Sequence, residues 1–276
     1  MPFRIQTCGE LVYHTSSVLE HDGILHGFST RKGGVSEGCF DSLNLRIGGP
    51  DPDDRRRVEE NYRRFCAAVG TDVHGTVLSV QVHEDTIRTV TAADAGKGLF
   101  RERDYTADAL ITNEPGLSLM VFSADCGIFL LHDPVSGCIG AVHAGWRGTA
   151  LDLPAKTVRE MAKRYGAKPE NIRVAIGAGI CPTCFETHRD VPDAMLEAFG
   201  PGADPFLHAF GDKWQVDLEG INRWRLREAG ICEEHLESLG VCTSCHGEQL
   251  YWSHRRDGDA RGVQAAMIAL KGERSV

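Results

Sequence analysis

Three apolar runs in this 276-residue sequence each stop at a side chain that can bind a metal ion or act as a nucleophile. The run ends are QVH at His83, ADC at Cys126 and VHAGWRG at His143. Because strand ends in one sheet can converge at one edge, we expect these three side chains to meet. Two imidazoles and one thiolate suit Zn²⁺ and leave the fourth tetrahedral position for water or substrate. The pattern therefore predicts a catalytic zinc site, whereas each residue taken singly would be an ordinary buried His or Cys.

Composition and charge exclude several other classes of protein. Apolar residues make up 42% and charged residues 25%, which is typical of a globular chain. Thirty basic and 39 acidic residues give a net charge of −9, and the basic residues are interleaved with the acidic ones. We therefore expect neither nucleic acid nor a membrane as a partner. The first residues lack the basic and apolar stretches of a secretory signal, so a cytoplasmic location is expected.

The ten cysteines indicate a reducing compartment, in which thiols serve as packing residues, nucleophiles or metal ligands. Cys181 with Cys184 and Cys242 with Cys245 form two C-x-x-C pairs in turn-like sequence. Together they have the form of a split four-thiolate zinc site, and the sequence leaves open whether they bind a second zinc. Five further cysteines are expected to be packing residues: Cys8, Cys39, Cys66, Cys138 and Cys232.

The elements that must position these residues show clear periodicity after residue 24. Helices are expected within residues 53–70, 147–166, 188–199 and 218–229, with Pro154 marking either a kink or a first helical turn. Strand-like runs are expected at residues 25–30, 76–83, 86–91, 108–112, 117–126, 127–133, 138–145, 172–180, 213–218 and 262–270.

This pattern predicts an α+β fold with a mixed β-sheet core flanked by helices. We expect one domain at residues 25–276. Residues 1–24 carry no strong pattern and are expected to form a segment that packs on that domain.

Seven motifs, in order, resemble those of the YfiH/PgeF family. They are HGFSTRKGGVS (26–36), SLNL (42–45), QVH (81–83), DAL with EPGLSL (108–119), ADC (124–126), HAGWRG (143–148) and SHRRDG (253–258). Members are also called laccase-domain or multicopper polyphenol oxidase proteins and peptidoglycan editing factors. The resemblance covers about residues 25 to 270, and HAGWRG with an upstream ADC is its most specific part.

The resemblance implies a YfiH-like fold related in shape to the CNF-type cysteine hydrolases, with zinc at His83, Cys126 and His143. It also implies phosphorolysis of adenosine, inosine and methylthioadenosine, so the partners would be a purine nucleoside and phosphate. Adenosine deaminase activity in the same pocket and a link to peptidoglycan precursor editing are further implications. We expect a monomer or a weak homodimer.

Four more site residues follow from these motifs. Arg31 resembles the anion-handling residue of the family, and Asn44 resembles a further pocket residue. Arg147 is a second candidate for holding phosphate, or else it pairs with a carboxylate. Asp125, next to Cys126, either orients a ligand imidazole or turns into solvent.

The sequence departs from the family at two positions that usually carry phosphate-holding side chains. Gly48 and Tyr62 stand where a His and an Arg are common, and Arg46, Arg63 or Arg64 would have to replace the lost charge. We therefore expect weak phosphate dependence together with retained deamination, since the deamination needs an activated water but no phosphate.

Three alternatives to the zinc enzyme remain. Cys126 with His143 or His83 as base would make a metal-independent cysteine hydrolase or deamidase. A copper-type polyphenol oxidase would follow the family's older name, although the chain lacks clustered H-x-H pairs. The third alternative is a binding module without catalytic activity in cell-wall precursor quality control.

Overall fold

Strands from distant parts of the chain pair in the computed structural model, which describes residues 3–49, 51–247 and 249–272. The strands are β1 (Arg4–Cys8), β2 (Leu11–Thr15), β3 (Ile24–Ser29), β4 (Thr76–Val77), β5 (Ile87–Thr89), β6 (Ala109–Thr112), β7 (Ser118–Ser123), β8 (Gly127–Asp133), β9 (Cys138–Ala144), β10 (Arg173–Ile176), β11 (Glu186–Thr187), β12 (Leu207–Phe210), β13 (Lys213–Val216), β14 (Leu236–Ser238) and β15 (Gln264–Leu270). The helices are α1 (Arg55–Val69), α2 (Trp146–Ala150), α3 (Leu153–Tyr165), α4 (Asp190–Phe199), α5 (Leu218–Glu228) and α6 (His254–Asp257). The predicted outer limits, residues 1 and 276, lie outside the described residues.

The described strands form two six-stranded mixed sheets and a small third sheet. The first sheet has the order β1-β2-β3-β15-β7-β4, and the second has the order β14-β10-β8-β9-β6-β5. A separate three-stranded sheet has the order β11-β13-β12. The α+β class is confirmed, and the mixed core that we expected as one sheet is divided between two.

The main core lies between the two large sheets. On β7, Leu119 and Val121 face this core while Met120 faces the opposite side, where α1 packs. On β8, Ile128 faces the same core while Phe129 faces α3 and α5. Because side chains alternate between the two faces of a strand and both faces are covered, these strands are apolar throughout.

Local sequence explains where the main helices begin and end. Asp54 caps α1 by accepting a hydrogen bond from the backbone N–H of Arg56, and Gly70 ends the helix with a φ of 90°. Residues 146–166 form two helices, and Pro154 lies in the first turn of α3, which is one of the two expected roles. No helix among the described residues has the length and apolar character needed to cross a bilayer.

The strand expected at residues 76–83 ends early, at Val77. Beyond it the side-chain amide of Gln81 makes the bonds that a strand backbone would make. Its Nε2 donates to the carbonyl of Phe122 at 2.8 Å, and its Oε1 accepts from the N–H of Phe122 at 2.7 Å. The hydrophobic pattern of residues 76–83 predicted a strand because it gives no sign that a side chain will make these hydrogen bonds.

Residues 4–15 form a hairpin that extends the first sheet through the pairing of β2 with β3. The sequence showed no pattern here because β1 is a sheet edge whose side chains are mostly exposed.

Candidate functional site

The structure brings His83, Cys126 and His143 together at the edge of the second large sheet. Their ligand atoms all lie within 4.8 Å of one another, and Cys126 Sγ is 3.9 Å from His83 Nε2. A tetrahedral ion with Zn–S of about 2.3 Å and Zn–N of about 2.0 Å would hold such atoms about 3.6 Å apart. One thiolate and two imidazoles therefore fit zinc in both chemistry and spacing.

Asp108 fixes two of these three residues, and sequence reasoning missed it. Its Oδ1 lies 2.8 Å from His143 Nδ1, which leaves Nε2 of the ring for a metal ion. The same carboxylate accepts the backbone N–H groups of Val82, His83 and Glu84 at 3.0 to 3.1 Å. Its position in the DAL motif, just before β6, was the available indication.

The charges in the cluster favour a thiolate at Cys126. Burial by itself raises the pKa of the thiol, but the neighbouring His143 and His83 outweigh it and bring that pKa down to about 6. Burial lowers the pKa of His143, yet Cys126 and Asp108 together raise it to about 9. Since a thiolate is both a metal ligand and a nucleophile, this charge state suits either role.

Backbone geometry at the cluster is unusual. His83 and Asp125 adopt φ values of 63° and 103°, a region that non-glycine residues seldom occupy. Gly145 follows β9, and a Cβ atom there would lie only 2.8 Å from Cys126 Sγ and 3.2 Å from His83 Cδ2. The close approach of the chain to these ligands therefore requires glycine at position 145.

A cavity of about 550 Å³ opens on the three residues. Tyr62 and Phe122 give it an aromatic wall, and three guanidinium groups line it, those of Arg46, Arg103 and Arg261. A second cavity of about 470 Å³ shares His83, Cys126 and Arg261 and is also lined by Trp146, Arg147, Phe185 and Arg255. Both cavities therefore give access to the metal-ligand cluster.

Arg261 stands in the wall that the two cavities share. Its Nε is buried and has no hydrogen-bond partner within the part of the chain that the structure describes. Burial, and the charge of Arg46 beside it, lower the pKa of its guanidinium. A buried donor of this kind favours an anionic ligand in the cavity.

Arg46, Arg103 and Arg261 line the cavity that contains the two positions at which the sequence departs from the family motifs. Gly48 and Tyr62 line the same cavity as these arginines, and the Tyr62 hydroxyl donates to the carbonyl of Leu45 at 2.8 Å.

Arg63 and Arg64 do not line this cavity. They lie on the outer face of α1, where Arg64 pairs with Glu60 at 3.0 Å. Of the three arginines expected to replace the lost charge, only Arg46 lines this cavity.

Arg31 and Asn44 are not among the described residues that line either cavity. Arg31 Nε donates to the carbonyl of Asp41 at 2.8 Å, and its guanidinium lies 5.0 Å from the centre of the Trp252 ring. Asn44 is fully buried and accepts the backbone N–H of Arg46 at 2.9 Å. These contacts hold loops beside the site, and a role of either residue in ligand binding stays a prediction.

The Asp125 side chain neither orients a ligand imidazole nor turns into solvent, which were the two expected alternatives. Its Oδ1 accepts the hydroxyl of Thr243 at 2.6 Å, and its Oδ2 accepts the backbone N–H of Arg255 at 2.7 Å. It thus ties the Cys126 loop to the C-terminal part of the chain, while Asp108 takes the ligand-orienting position. Arg147 is exposed in the second cavity and stacks over Trp146, 4.2 Å from the ring centre.

Comparisons with known proteins agree with this fold. The crystal structure of the hypothetical protein YfiH of Bacillus licheniformis superposes with a TM-score of 0.89 at 33% identity, covering 98% of this chain and 99% of that one. A protein of Deinococcus radiodurans named purine nucleoside phosphorylase is 38% identical, over 89% of this chain and 88% of its own length. Purine nucleoside phosphorylase YlmD of Bacillus subtilis is 32% identical, over 90% and 89% respectively.

The family model described as multi-copper polyphenol oxidoreductase laccase matches residues 25–271. This match spans most of the chain, and the YfiH structure superposes on it along almost its whole length. The chain therefore belongs to this laccase-like family, the family of the YfiH and YlmD proteins.

Proposed function

We propose that this protein is a zinc-dependent purine nucleoside phosphorylase. The observation that carries the proposal is a His₂Cys cluster, oriented by Asp108, at the base of a cavity lined by three arginines. Relatives along nearly the whole chain are named purine nucleoside phosphorylases. The cavity volume of about 550 Å³ lies in the range of small-molecule sites.

The two substrates match different parts of the cavity. Phe122, which contacts the buried ring of Tyr62, offers an apolar surface against which a purine ring can pack. Arg261, with Arg46 and Arg103, offers guanidinium donors for phosphate, which they bind in a bidentate manner. Positioned in this way, phosphate lies against the anomeric carbon of the nucleoside.

In the proposed reaction a phosphate oxygen forms a bond to the anomeric carbon while the glycosidic bond breaks and its electron pair leaves with the base. Phosphate held by Arg261 and its neighbours faces the positive charge that develops on the ribose. His83, Cys126 and His143 would hold the zinc ion, which supplies Lewis-acid chemistry when bound. Asp108, which bonds to Nδ1 of His143, leaves the Nε2 of that ring available to such an ion.

We extend the proposal to methylthioadenosine phosphorolysis and adenosine deamination in the same cavity. Deamination needs an activated water at C6 of the base and no phosphate. We therefore place both reactions in this cavity. They can be distinguished experimentally because only phosphorolysis requires phosphate in solution.

The test is product analysis of purified zinc-loaded protein with inosine and adenosine. We expect ribose 1-phosphate and free base from inosine only when phosphate is present, and inosine from adenosine in its absence. Cys126→Ala should abolish both reactions, whereas Cys39→Ser, which changes an exposed cysteine, should abolish neither. Failure of the zinc-loaded protein to cleave inosine at any phosphate concentration would contradict the proposal.

A second function has a specific observation in its favour. Cys126, His143 and Asp108 form the nucleophile, base and orienting acid that a metal-free cysteine hydrolase requires. Chelation separates the two functions, since a hydrolase of this kind keeps its activity without metal and a zinc enzyme loses it and regains it with added zinc. Alkylation of Cys126 inactivates both and therefore does not discriminate.

Copper chemistry has less support from the donor groups. A multicopper oxidase needs several histidine-rich centres. Among the described residues, the candidate metal clusters are the His₂Cys group and an all-cysteine group. Elemental analysis of the purified protein should find zinc, and stoichiometric copper without zinc would contradict the proposed metal.

A further inference from the structure

We propose that Cys181, Cys184, Cys242 and Cys245 bind a second, structural Zn²⁺, which joins two loops at the wall of the candidate active site. The inference does not depend on the proposed function, because it rests on residues outside the His₂Cys cluster.

The sulfur positions fit a tetrahedral ion. All four Sγ atoms lie within 4.8 Å of one another, and Cys181 Sγ is 3.8 Å from Cys245 Sγ. Two sulfurs that are each about 2.3 Å from a tetrahedral zinc are about 3.8 Å apart. A disulfide would need an S–S distance of about 2.05 Å, and all four cysteines are free.

Each C-x-x-C pair is held in a turn that directs both of its sulfurs to the same side. The N–H of Cys184 donates to the carbonyl of Cys181 at 3.1 Å, and the N–H of His246 donates to the carbonyl of Cys242 at 3.3 Å. The two turns are joined because Gly179 and Cys242 form a parallel bridge. Residues 61 positions apart, Cys181 and Cys242, are thereby fixed next to each other.

The surroundings of the cluster suit thiolates. The backbone N–H groups of Cys181 and Ser244 point at Cys242 Sγ, at 3.3 and 3.4 Å. Donors of this kind stabilise negative sulfur and orient it. Arg256 holds the same loop in place, since its Nη1 donates to the carbonyls of Thr243 and Ser244 at 2.8 and 3.2 Å while its Nε pairs with Asp257 at 2.7 Å.

The type of site follows from the donor set. Four protein thiolates complete the tetrahedral shell of zinc and leave no position for water or substrate. Such a site contributes to folding rather than to chemistry. Here it would secure Thr243, whose hydroxyl bonds to Asp125 beside Cys126.

Zinc analysis of matched variants tests the inference. We expect about two zinc ions per chain in the wild-type protein and in Cys39→Ser, and about one in Cys184→Ser and in Cys126→Ala. Cys126→Ala keeps the four-cysteine cluster intact, so it measures the second site even if Cys184→Ser fails to fold. Cobalt substitution of Cys126→Ala should then give the intense thiolate-to-metal charge-transfer and tetrahedral d–d bands of a four-sulfur site.

Several results would overturn the inference. They are a Cys126→Ala protein without metal, a folded Cys184→Ser protein with the wild-type zinc content, disulfides among the four cysteines of freshly purified protein, and iron in place of zinc. Because nucleoside cleavage is measured separately, an inactive protein with two zinc ions would overturn the proposed function and leave this inference supported.

Discussion

The Nδ1 atom of His143 lies 2.8 Å from Oδ1 of Asp108, and the side chain of Asp108 is completely buried. This one carboxylate also accepts three backbone N–H groups from the loop that carries His83. Asp108 thus orients one metal ligand and fixes the loop of another. Removal of the Asp108 carboxylate should therefore weaken metal binding, although Asp108 is not one of the three predicted ligands.

Asp108→Asn should lower zinc affinity about 10- to 100-fold, because the amide cannot both accept the loop N–H groups and orient His143 as a carboxylate does. Competition with a chelator measures this affinity. Asp133→Asn is the matched control, since Asp133 is also fully buried and accepts backbone N–H groups, including that of Val135 at 2.8 Å. Equal zinc affinity in the two folded variants would show that Asp108 has only a structural role.

Gly145→Ala should displace the metal ligands, since the added Cβ would lie 2.8 Å from Cys126 Sγ. We expect loss of zinc and of nucleoside cleavage with the fold retained, measured by metal analysis and circular dichroism. Gly148→Ala lies in the same motif, where the nearest atom is at 3.4 Å, an ordinary contact. That control should keep its zinc, and a fully loaded Gly145→Ala protein would contradict the close-approach argument.

Arg261→Ala should raise the KM for phosphate about 10- to 100-fold, because one charge-assisted hydrogen bond contributes about 1.5 to 3 kcal/mol. Adenosine deamination, which uses no phosphate, should change much less. Arg64→Ala removes an arginine paired with Glu60 on the surface of α1 and should leave both reactions unchanged. Phosphate titration of inosine cleavage makes the comparison, and an unchanged KM in Arg261→Ala would place the phosphate elsewhere.

Acid should destabilise the protein partly through His26, a buried residue of β3. Burial lowers the pKa of its imidazole to about 4, although Glu237 opposes the shift, and its Nε2 accepts the N–H of Ser16 at 2.9 Å. In the unfolded chain the His26 imidazole has a pKa near 6.5. Between about pH 4 and pH 6.5 the unfolded chain therefore binds more protons than the folded one. Stability therefore falls as pH drops from about 6.5 towards 4, by up to about 3 kcal/mol for this residue.

Urea unfolding at several pH values measures this effect. His26→Gln should be less stable at neutral pH but should lose less stability on acidification than the wild-type protein. His208→Gln, which changes an exposed histidine, should keep the wild-type slope. A wild-type slope in His26→Gln would assign the acid sensitivity to other groups.

Local patterns in the sequence determined many of the elements. The apolar runs of β8 and β9 and the amphipathic repeat of α1 identify these elements without knowledge of the fold, because the sequence of each records which of its faces are buried. The three metal-ligand candidates were also identifiable, since each stands where an apolar run ends. Their residue types limit the chemistry that they can perform.

Only the tertiary structure decided which polar residues complete the site. Asp125 is adjacent to Cys126 in sequence, yet Asp108 takes the position beside His143 because β6 pairs with β9. Arg261 reaches the cavity from a distant segment just before β15. The periodicity of a segment indicates only which of its own residues are buried. The contacts of Asp108 and Arg261 depend instead on which strands pair, and strand pairing is fixed by packing between residues far apart in the chain.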